Sequence, residues 1–237
     1  KSVSTPIEAD NTDDSATRRP PNRATLYRAC VARGNYMAQG RSDCQLAVKE
    51  LSRSMASPST RDERRLHRSA RYLLDKSRHQ IVFPYQANFN GTAYAINTWS
   101  DTDFAGCKAT RKSTSGGVIQ LGTRVIKTWS STQSVTAMSS GEAGYYGLAK
   151  GSAQSIGIRS MLRDFGVAEP VPIDVRSDSS AAVAIAQHRC FGKVRHIEVN
   201  QLWLQERVAN SEVTLIKAPG TTNAADHLTK PGCTASV

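Results

Sequence analysis

Between residues 24 and 77 apolar positions recur at helical spacing: Tyr27, Cys30 and Val31, then Leu46, Val48, Leu51 and Met55, then Leu66, Tyr72, Leu73 and Leu74. Breaks at Gln39-Gly40 and Ser57-Pro58-Ser59 divide the stretch, so the pattern predicts three short helices. After Ser77 the period becomes that of strands. Gln80-Ile-Val-Phe, Ala93-Tyr-Ala-Ile-Asn-Thr-Trp, Gly117-Val-Ile-Gln-Leu and Val125-Ile-Lys-Thr-Trp are separated by Gly-rich or polar turns, and several of them should pair antiparallel. A helix is expected over residues 140–165, although Gly144, Gly147, Gly151 and Gly157 lower its propensity. The strand Pro172-Ile-Asp-Val-Arg, an Ala-rich helix over 180–187 and a helix over 194–209 come next. The strand Glu212-Val-Thr-Leu-Ile and a last helix near Ala224-Ala-Asp-His-Leu complete the series. From Ala93 the order βββαβααβα describes an α/β layer fold, a mixed sheet flanked by helices. Such a fold assigns no activity by itself.

Residues 1–22 are polar, Pro-containing and aperiodic, and read as an extended or disordered lead-in that supplies no core residue. The chain therefore divides into a lead-in over 1–22, a helical segment over 23–78 and an α/β domain over 79–237. It opens on Lys1 with no initiator Met, which suggests a fragment of something longer.

Charge adds a partner. A formal +11 over 237 residues favours a polyanion, because Lys and Arg neutralise phosphates and release condensed counterions. Nucleic acid comes first and an anionic membrane surface second. Arg61, Arg64, Arg65, Arg68 and Arg71 crowd the third predicted helix, either as a solvated face or as a surface that rides on a nucleic-acid backbone. No apolar run is long enough to span a bilayer and no signal peptide opens the chain, so an intracellular, unanchored domain is expected. Cys30, Cys44, Cys107, Cys190 and Cys233 are scattered singly and read as free thiols.

Three carboxylates carry the candidate chemistry. Asp101 and Asp178 stand at predicted strand ends, where ligand sites of open α/β sheets collect, and Asp226 sits in the first turn of the predicted last helix. Brought together, they would repel one another unless a cation neutralised them, and hard oxygen ligands select magnesium or manganese over zinc. Two such ions about 3.5–4 Å apart activate a water and stabilise the leaving 3′ oxygen of a phosphodiester. Spacing alone is weak evidence, because isolated Asp residues at strand ends are often turn or cap residues.

Six blocks sharpen the reading: Trp99-Ser-Asp-Thr-Asp-Phe-Ala-Gly-Cys, Arg111-Lys-Ser-Thr-Ser-Gly-Gly, Lys127-Thr-Trp-Ser-Ser-Thr-Gln, Met138-Ser-Ser-Gly-Glu-Ala, Arg195-His-Ile-Glu and Asn223-Ala-Ala-Asp-His-Leu-Thr-Lys-Pro. In order and spacing they resemble the ribonuclease H domains of copia-type LTR retrotransposon polyproteins. Ala24-Thr-Leu-Tyr-Arg and Ala47-Val-Lys-Glu-Leu-Ser-Arg resemble the stretch that links reverse transcriptase to ribonuclease H in the same polyproteins. The resemblance implies a ribonuclease H-like mixed five-stranded sheet flanked by helices, preceded by a small helical remnant of the reverse-transcriptase connection. The polymerase's own Tyr-x-Asp-Asp motif is absent.

The resemblance further implies that Asp101, Asp178 and Asp226 are the family's first, third and fourth metal ligands. The second does not carry over: relatives read Ser-Ser-x-Glu-Ala-Glu-Tyr, whereas this chain reads Ser139-Ser-Gly-Glu-Ala-Gly-Tyr, with Gly144 in the ligand's place. Glu142, two residues earlier and roughly 200° round the helix, has two roles open to it. One is a Ser-x-x-Glu capping box with Ser139; the other is catalytic metal binding through an unwound first turn or a water. By the same resemblance Ser139 and Ser140 would touch the backbone of an RNA/DNA hybrid. Arg111, Lys112, Lys127 and Arg195 would contact phosphates, Trp129 would stack on sugar, and His196 would be structural or contact the substrate. Asp103 reads as a turn residue, and His227 points away from Asp226.

The implied activity is an endoribonuclease that cuts the RNA strand of RNA/DNA hybrids with two Mg²⁺ ions, Mn²⁺ substituting, during retroelement reverse transcription. Its partners would be the hybrid and the parent polyprotein's reverse transcriptase, with no membrane, in a cytoplasmic particle or the nucleus. Gly144 leaves a second reading: a weakened or inactive domain that binds nucleic acid or scaffolds the polyprotein.

Overall fold

A computed structural model describes residues 3–8, 16–78, 80–83, 85, 95–167, 171–188, 197 and 202–232. The chain divides into two compact units, one largely Lys1–Ile81 and the other largely Val82–Thr229.

The first unit holds helices α1 (Pro21–Met37), α2 (Ser42–Ser52) and α3 (Thr60–Asp75). Pro21 opens α1, where its missing N–H costs nothing. A 3-10 turn at Ala38–Gly40 separates α1 from α2, at the predicted break. α3 begins on a reciprocal cap: Ser59 Oγ accepts from Asp62 N while the Asp62 carboxylate accepts from Ser59 N. Tyr27, Val31 and Leu51 pack together, and the Tyr27 hydroxyl donates to Leu51 O at 2.8 Å. Ile7 is buried with Leu46 and Ala47, so the lead-in does supply a core residue. A single apolar side chain in a polar run carries no period, which is why the sequence pattern missed it.

The second unit is built on five strands: β1 (Ile96–Thr102), β2 (Thr114–Leu121), β3 (Arg124–Thr132), β4 (Ile173–Ser177) and β5 (Thr214–Lys217). Their order is β3-β2-β1-β4-β5. β1–β2 and β2–β3 are antiparallel, β1–β4 and β4–β5 parallel. This is the mixed five-stranded sheet flanked by helices that the sequence predicts. Helices α4 (Ser140–Asp164), α5 (Ser180–Gln187) and α6 (Trp203–Ala209) accompany it. Ile96, Ile119, Tyr145, Leu148, Val175 and Leu204 lie in the main core.

α4 is seated on β1 through small residues. A Cβ at Gly147 would lie 2.5 Å from Thr102 Cγ2, and one at Gly151 would lie 3.2 Å from Thr98 Cγ2. Thr98 and Ser155 hydroxyls bond across the same seam at 2.6 Å. Glycines that lower helix propensity are thus what lets the backbone approach the sheet.

Three expectations change. Residues 80–83 form no strand, and Ile81, Val82 and Phe83 are exposed, because the run lies where the chain passes from one unit to the other and joins no ladder among the described residues. The last helix is a single 3-10 turn, Asp226–Leu228. The helix expected from residue 194 is described only over Trp203–Ala209. Cys30, Cys44 and Cys107 form no disulfide among the described residues; Cys190 and Cys233 lie outside the described residues.

Candidate active site

β1 and β4 run parallel side by side, with Trp99 opposite Arg176, so their C-terminal ends deliver Asp101 and Asp178 to one edge of the sheet. Asp101 is the penultimate residue of β1 and Asp178 immediately follows β4. The chain leaves β5, turns through Gly220–Thr222 and brings Asp226 to the same edge at the start of the last 3-10 turn. Among the described residues, Asp101, Asp178 and Asp226 each offer a carboxylate oxygen, and these lie within 4.8 Å of one another. Asp101 is buried; the other two are half-buried.

Several contacts hold the cluster. The Thr229 hydroxyl donates to Asp101 Oδ2. Asn223 Nδ2 donates to Ser100 O at 3.2 Å while its Oδ1 accepts from Ala225 N at 3.1 Å, pinning the last segment against β1. Ser130 Oγ donates to Leu228 O at 2.6 Å from the far strand. Gly116, the register partner of Asp101, leaves room for this segment, since a Cβ there would lie 2.7 Å from Leu228 Cβ. On the other side Lys217 Nζ donates to the backbone carbonyl of Asp178, and a Cβ at Gly220 would approach Asp178 Oδ2 to 3.1 Å. Neither Thr229 nor Lys217 stood out in sequence. Thr229 lay inside the last motif, so only its role was hidden.

Glu142 stands outside the three-carboxylate group. It is buried; Oε2 accepts from Met138 N at 2.8 Å and Oε1 from the Tyr146 hydroxyl at 2.7 Å. Ser139 Oγ accepts from Glu142 N at 3.2 Å. The residue therefore caps α4, with the return bond falling on Met138 rather than on the N-cap amide. Gly144 is a contact between helices: a Cβ there would lie 2.9 Å from Ala182 Cβ and 3.1 Å from Ser179 Oγ.

The other expected contacts separate. Ser139 and Ser140 are exposed at the start of α4. Arg111 is exposed in a left-handed turn (φ 57°), and Lys112 Nζ donates to Ser134 O at 2.6 Å. Lys127 is exposed on β3 and donates to Gln154 Oε1 of α4. It faces Lys150, whose ammonium is pushed below its usual range by burial and by that neighbour. The Trp129 ring lies over Gly117, where no Cβ would fit, and packs half-buried against the main core. Arg195 and His196 lie outside the described residues. Asp103 accepts from Thr114 N and so closes the turn between β1 and β2. His227 is buried, pointing into the fold while Asp226 faces the cluster.

No family model matches the chain. It is similar to the retrovirus-related Pol polyprotein from transposon RE1 of Arabidopsis thaliana, 29% identical over 208 residues, which covers 87% of this chain and 14% of that protein. Its similarity to the polyprotein from transposon RE2 of the same plant is 29% over 234 residues, or 98% of this chain and 16% of that protein. A third relative is the polyprotein from transposon TNT 1-94 of Nicotiana tabacum, 27% identical over 143 residues, covering 60% of this chain and 11% of that protein. The chain thus spans about a seventh of the first two relatives' length. Among solved structures it resembles LC11-RNase H1, isolated from compost by a metagenomic approach, at 19% identity and a TM-score of 0.41, covering 57% of this chain and 93% of that one. The same enzyme in complex with RNA/DNA hybrid gives 16% identity and a TM-score of 0.39, covering 56% of this chain and 93% of that one. The kinship expected from the motifs is borne out: the homologues of this chain are retrovirus-related Pol polyproteins of transposons.

Proposed function

We propose that this kin of transposon Pol polyproteins is their ribonuclease H-type hydrolase, cutting the RNA strand of RNA/DNA hybrids by a two-metal-ion mechanism and leaving 5′-phosphate ends. The observation that carries the reading is the convergence of Asp101, Asp178 and Asp226, from two adjacent strand ends and a returning loop, with oxygens within 4.8 Å. An all-carboxylate donor set is what Mg²⁺, or Mn²⁺ in its place, takes. When bound, such ions lower the pKa of a coordinated water and stabilise the leaving 3′ oxygen.

The chain's own residues set the stage for that chemistry. Asp101, Asp178 and Asp226 would hold the ions, Thr229 fixes one oxygen of Asp101, and Asn223 fixes the backbone from which Asp226 projects. Lys217 brings a positive charge to Asp178 at the mouth of the cluster. Ser139 and Ser140 offer exposed hydroxyls to the hybrid backbone, with Arg111, Lys112 and Lys127 as phosphate contacts. Glu142 serves α4 as its cap and is not assigned a metal. Within the parent polyprotein residues 23–78 would be the connection from reverse transcriptase and residues 79–237 the hydrolase, acting inside the cell in a cytoplasmic particle or the nucleus.

Gly144 favours a second reading, a domain that binds hybrid with weakened or no hydrolysis, because the position relatives give to a carboxylate is closed by Ala182 and Ser179. A substrate panel tests the first reading. The purified chain with Mg²⁺ or Mn²⁺ should cut labelled RNA in a hybrid and leave RNA/RNA and DNA/DNA duplexes intact. Equal cutting of all three, or of none while the hybrid is still bound, would replace it.

A further inference from the structure

On α1 the positions Leu26, Tyr27, Cys30, Val31 and Met37 fall on one stripe, and on α3 Leu66, Ala70 and Leu73 do the same. Where these helices meet α2, Tyr27, Val31, Val48 and Leu51 are buried. Among the described residues the two stripes do not close on each other. Between them lies an almost wholly apolar cavity of about 440 Å³, lined by side chains of α1, α2 and α3. Leu26 is 53% exposed beside it, and Cys30, Met37, Leu66 and Leu73 are half-buried. From Leu26 to Met37 this trough follows α1 for about 16 Å, roughly three helical turns.

The rim of the trough is basic. Its one acidic side chain, Glu63, is 14% exposed and is held by Arg19 on one oxygen and by Arg23 on the other. Arg33, also on the lining, is exposed and makes no ion pair among the described residues. Three guanidiniums against one carboxylate leave a formal +2, with the exposed His67 neutral. That sign selects among occupants. An isologous contact with a second copy would set this basic rim against itself, which like charges oppose. A bilayer takes a projecting apolar face, whereas this one is recessed between two helices. An acidic protein segment meets both the sign and the shape.

We propose that the trough between α1 and α3 docks an amphipathic helix of a partner protein, with an apolar stripe that fills the cavity and Asp or Glu on its flanks. Such a helix presents apolar side chains at i, i+3, i+4 and i+7, and about three turns of it match the span from Leu26 to Met37. Its backbone polar groups are already paired, so only side chains enter a cavity that has few polar atoms to offer. Its acidic flanks meet Arg33 and Arg23, and Arg23 then shares its charge between Glu63 and the partner. Seated there, the helix adds a fourth to α1, α2 and α3 and covers the apolar faces that three helices leave open. Docking calls on none of Asp101, Asp178 and Asp226 and is independent of hydrolysis.

The probe is a fluorescein-labelled helical peptide of about 18 residues, with Leu at heptad positions a, d and e and Glu elsewhere, titrated with the full chain and read by anisotropy. A twin peptide carries Lys for every Glu. The Glu peptide should bind at least about tenfold tighter than its twin. Arg33→Glu should weaken the Glu peptide about threefold to tenfold and tighten the Lys peptide, a gain that unfolding cannot mimic. Ala70→Trp, which fills the trough from an exposed position of α3, should weaken the Glu peptide at least about tenfold. Met161→Trp, exposed on α4, should not. Bound Glu peptide should also slow alkylation of Cys30 by N-ethylmaleimide, read by mass spectrometry of the fragment that holds it. Equal binding of the two peptides, binding of neither, full affinity in Ala70→Trp, or an unchanged Cys30 rate under saturating peptide would overturn the proposal. So would a dimer in sedimentation that Ala70→Trp dissociates, since the trough would then belong to a second copy.

Discussion

The Thr229 hydroxyl donates to Asp101 Oδ2 across 128 positions of sequence, tying the last segment of the chain to the end of the central strand. Since Asn223 anchors the same segment to Ser100, the position of Asp226 and the orientation of Asp101 depend on one another. Hydrogen bonds behind a metal ligand orient it, and their loss typically costs tenfold to a hundredfold in affinity or activity.

Thr229→Val should therefore lower hybrid cleavage at least about tenfold and raise the Mg²⁺ or Mn²⁺ concentration needed for half-maximal rate. Thr229→Ser, which keeps the hydroxyl, should retain most of both. A metal titration of the three proteins, with calorimetry of Mn²⁺ binding, checks it.

Glu142→Gln should leave cleavage within about twofold of wild type while destabilising the second unit by about 1 kcal/mol, through weakened bonds to Met138 N and Tyr146. Denaturant melts beside a cleavage assay make the comparison. A large loss of cleavage with no loss of stability would return Glu142 to the metal.

Gly144→Glu should destabilise by about 1–3 kcal/mol, because its Cβ must share space with Ala182 Cβ at 2.9 Å. Gly144→Ala should show the same cost, and adding Ala182→Gly should relieve it. Urea midpoints of the set separate a packing role for this glycine from a merely absent ligand.

Much of this was legible beforehand. The helix expected over 180–187 is found as Ser180–Gln187, and that over 140–165 as Ser140–Asp164, because period and caps agree there. The strand-end positions of Asp101 and Asp178 followed from alternation and turn signals. What failed depended on contacts that no local pattern encodes. Ile7 finds Leu46 and Ala47 across tens of residues. The apolar run at 80–83 has strand composition but joins no ladder among the described residues. Gly144, Gly147 and Gly151 look like weaknesses in a helix until the sheet and α5 beside it are known.

A pH prediction concerns the helical unit. Burial works to raise the Asp62 carboxyl, but hydrogen bonds from the Ser59 hydroxyl and amide and from Ser54 hold it below its usual range. A folded value below the unfolded one contributes stability that is present above the unfolded pKa, about 3.9, and is lost as pH falls through the folded value. Asp62→Asn should thus be less stable than wild type at neutral pH and should lose less on acidification below about pH 4. Urea midpoints of both proteins across that range give the answer.

The most direct measurement is cleavage of an end-labelled RNA/DNA hybrid by wild type and by Asp101→Asn, Asp178→Asn and Asp226→Asn in Mg²⁺ and in Mn²⁺. Wild type should yield RNA fragments with 5′-phosphate ends, and each variant should lose that activity while keeping its fold. Undiminished cleavage by the variants, or none by wild type at high protein concentration in either metal, would contradict the assignment of these three carboxylates to hydrolysis.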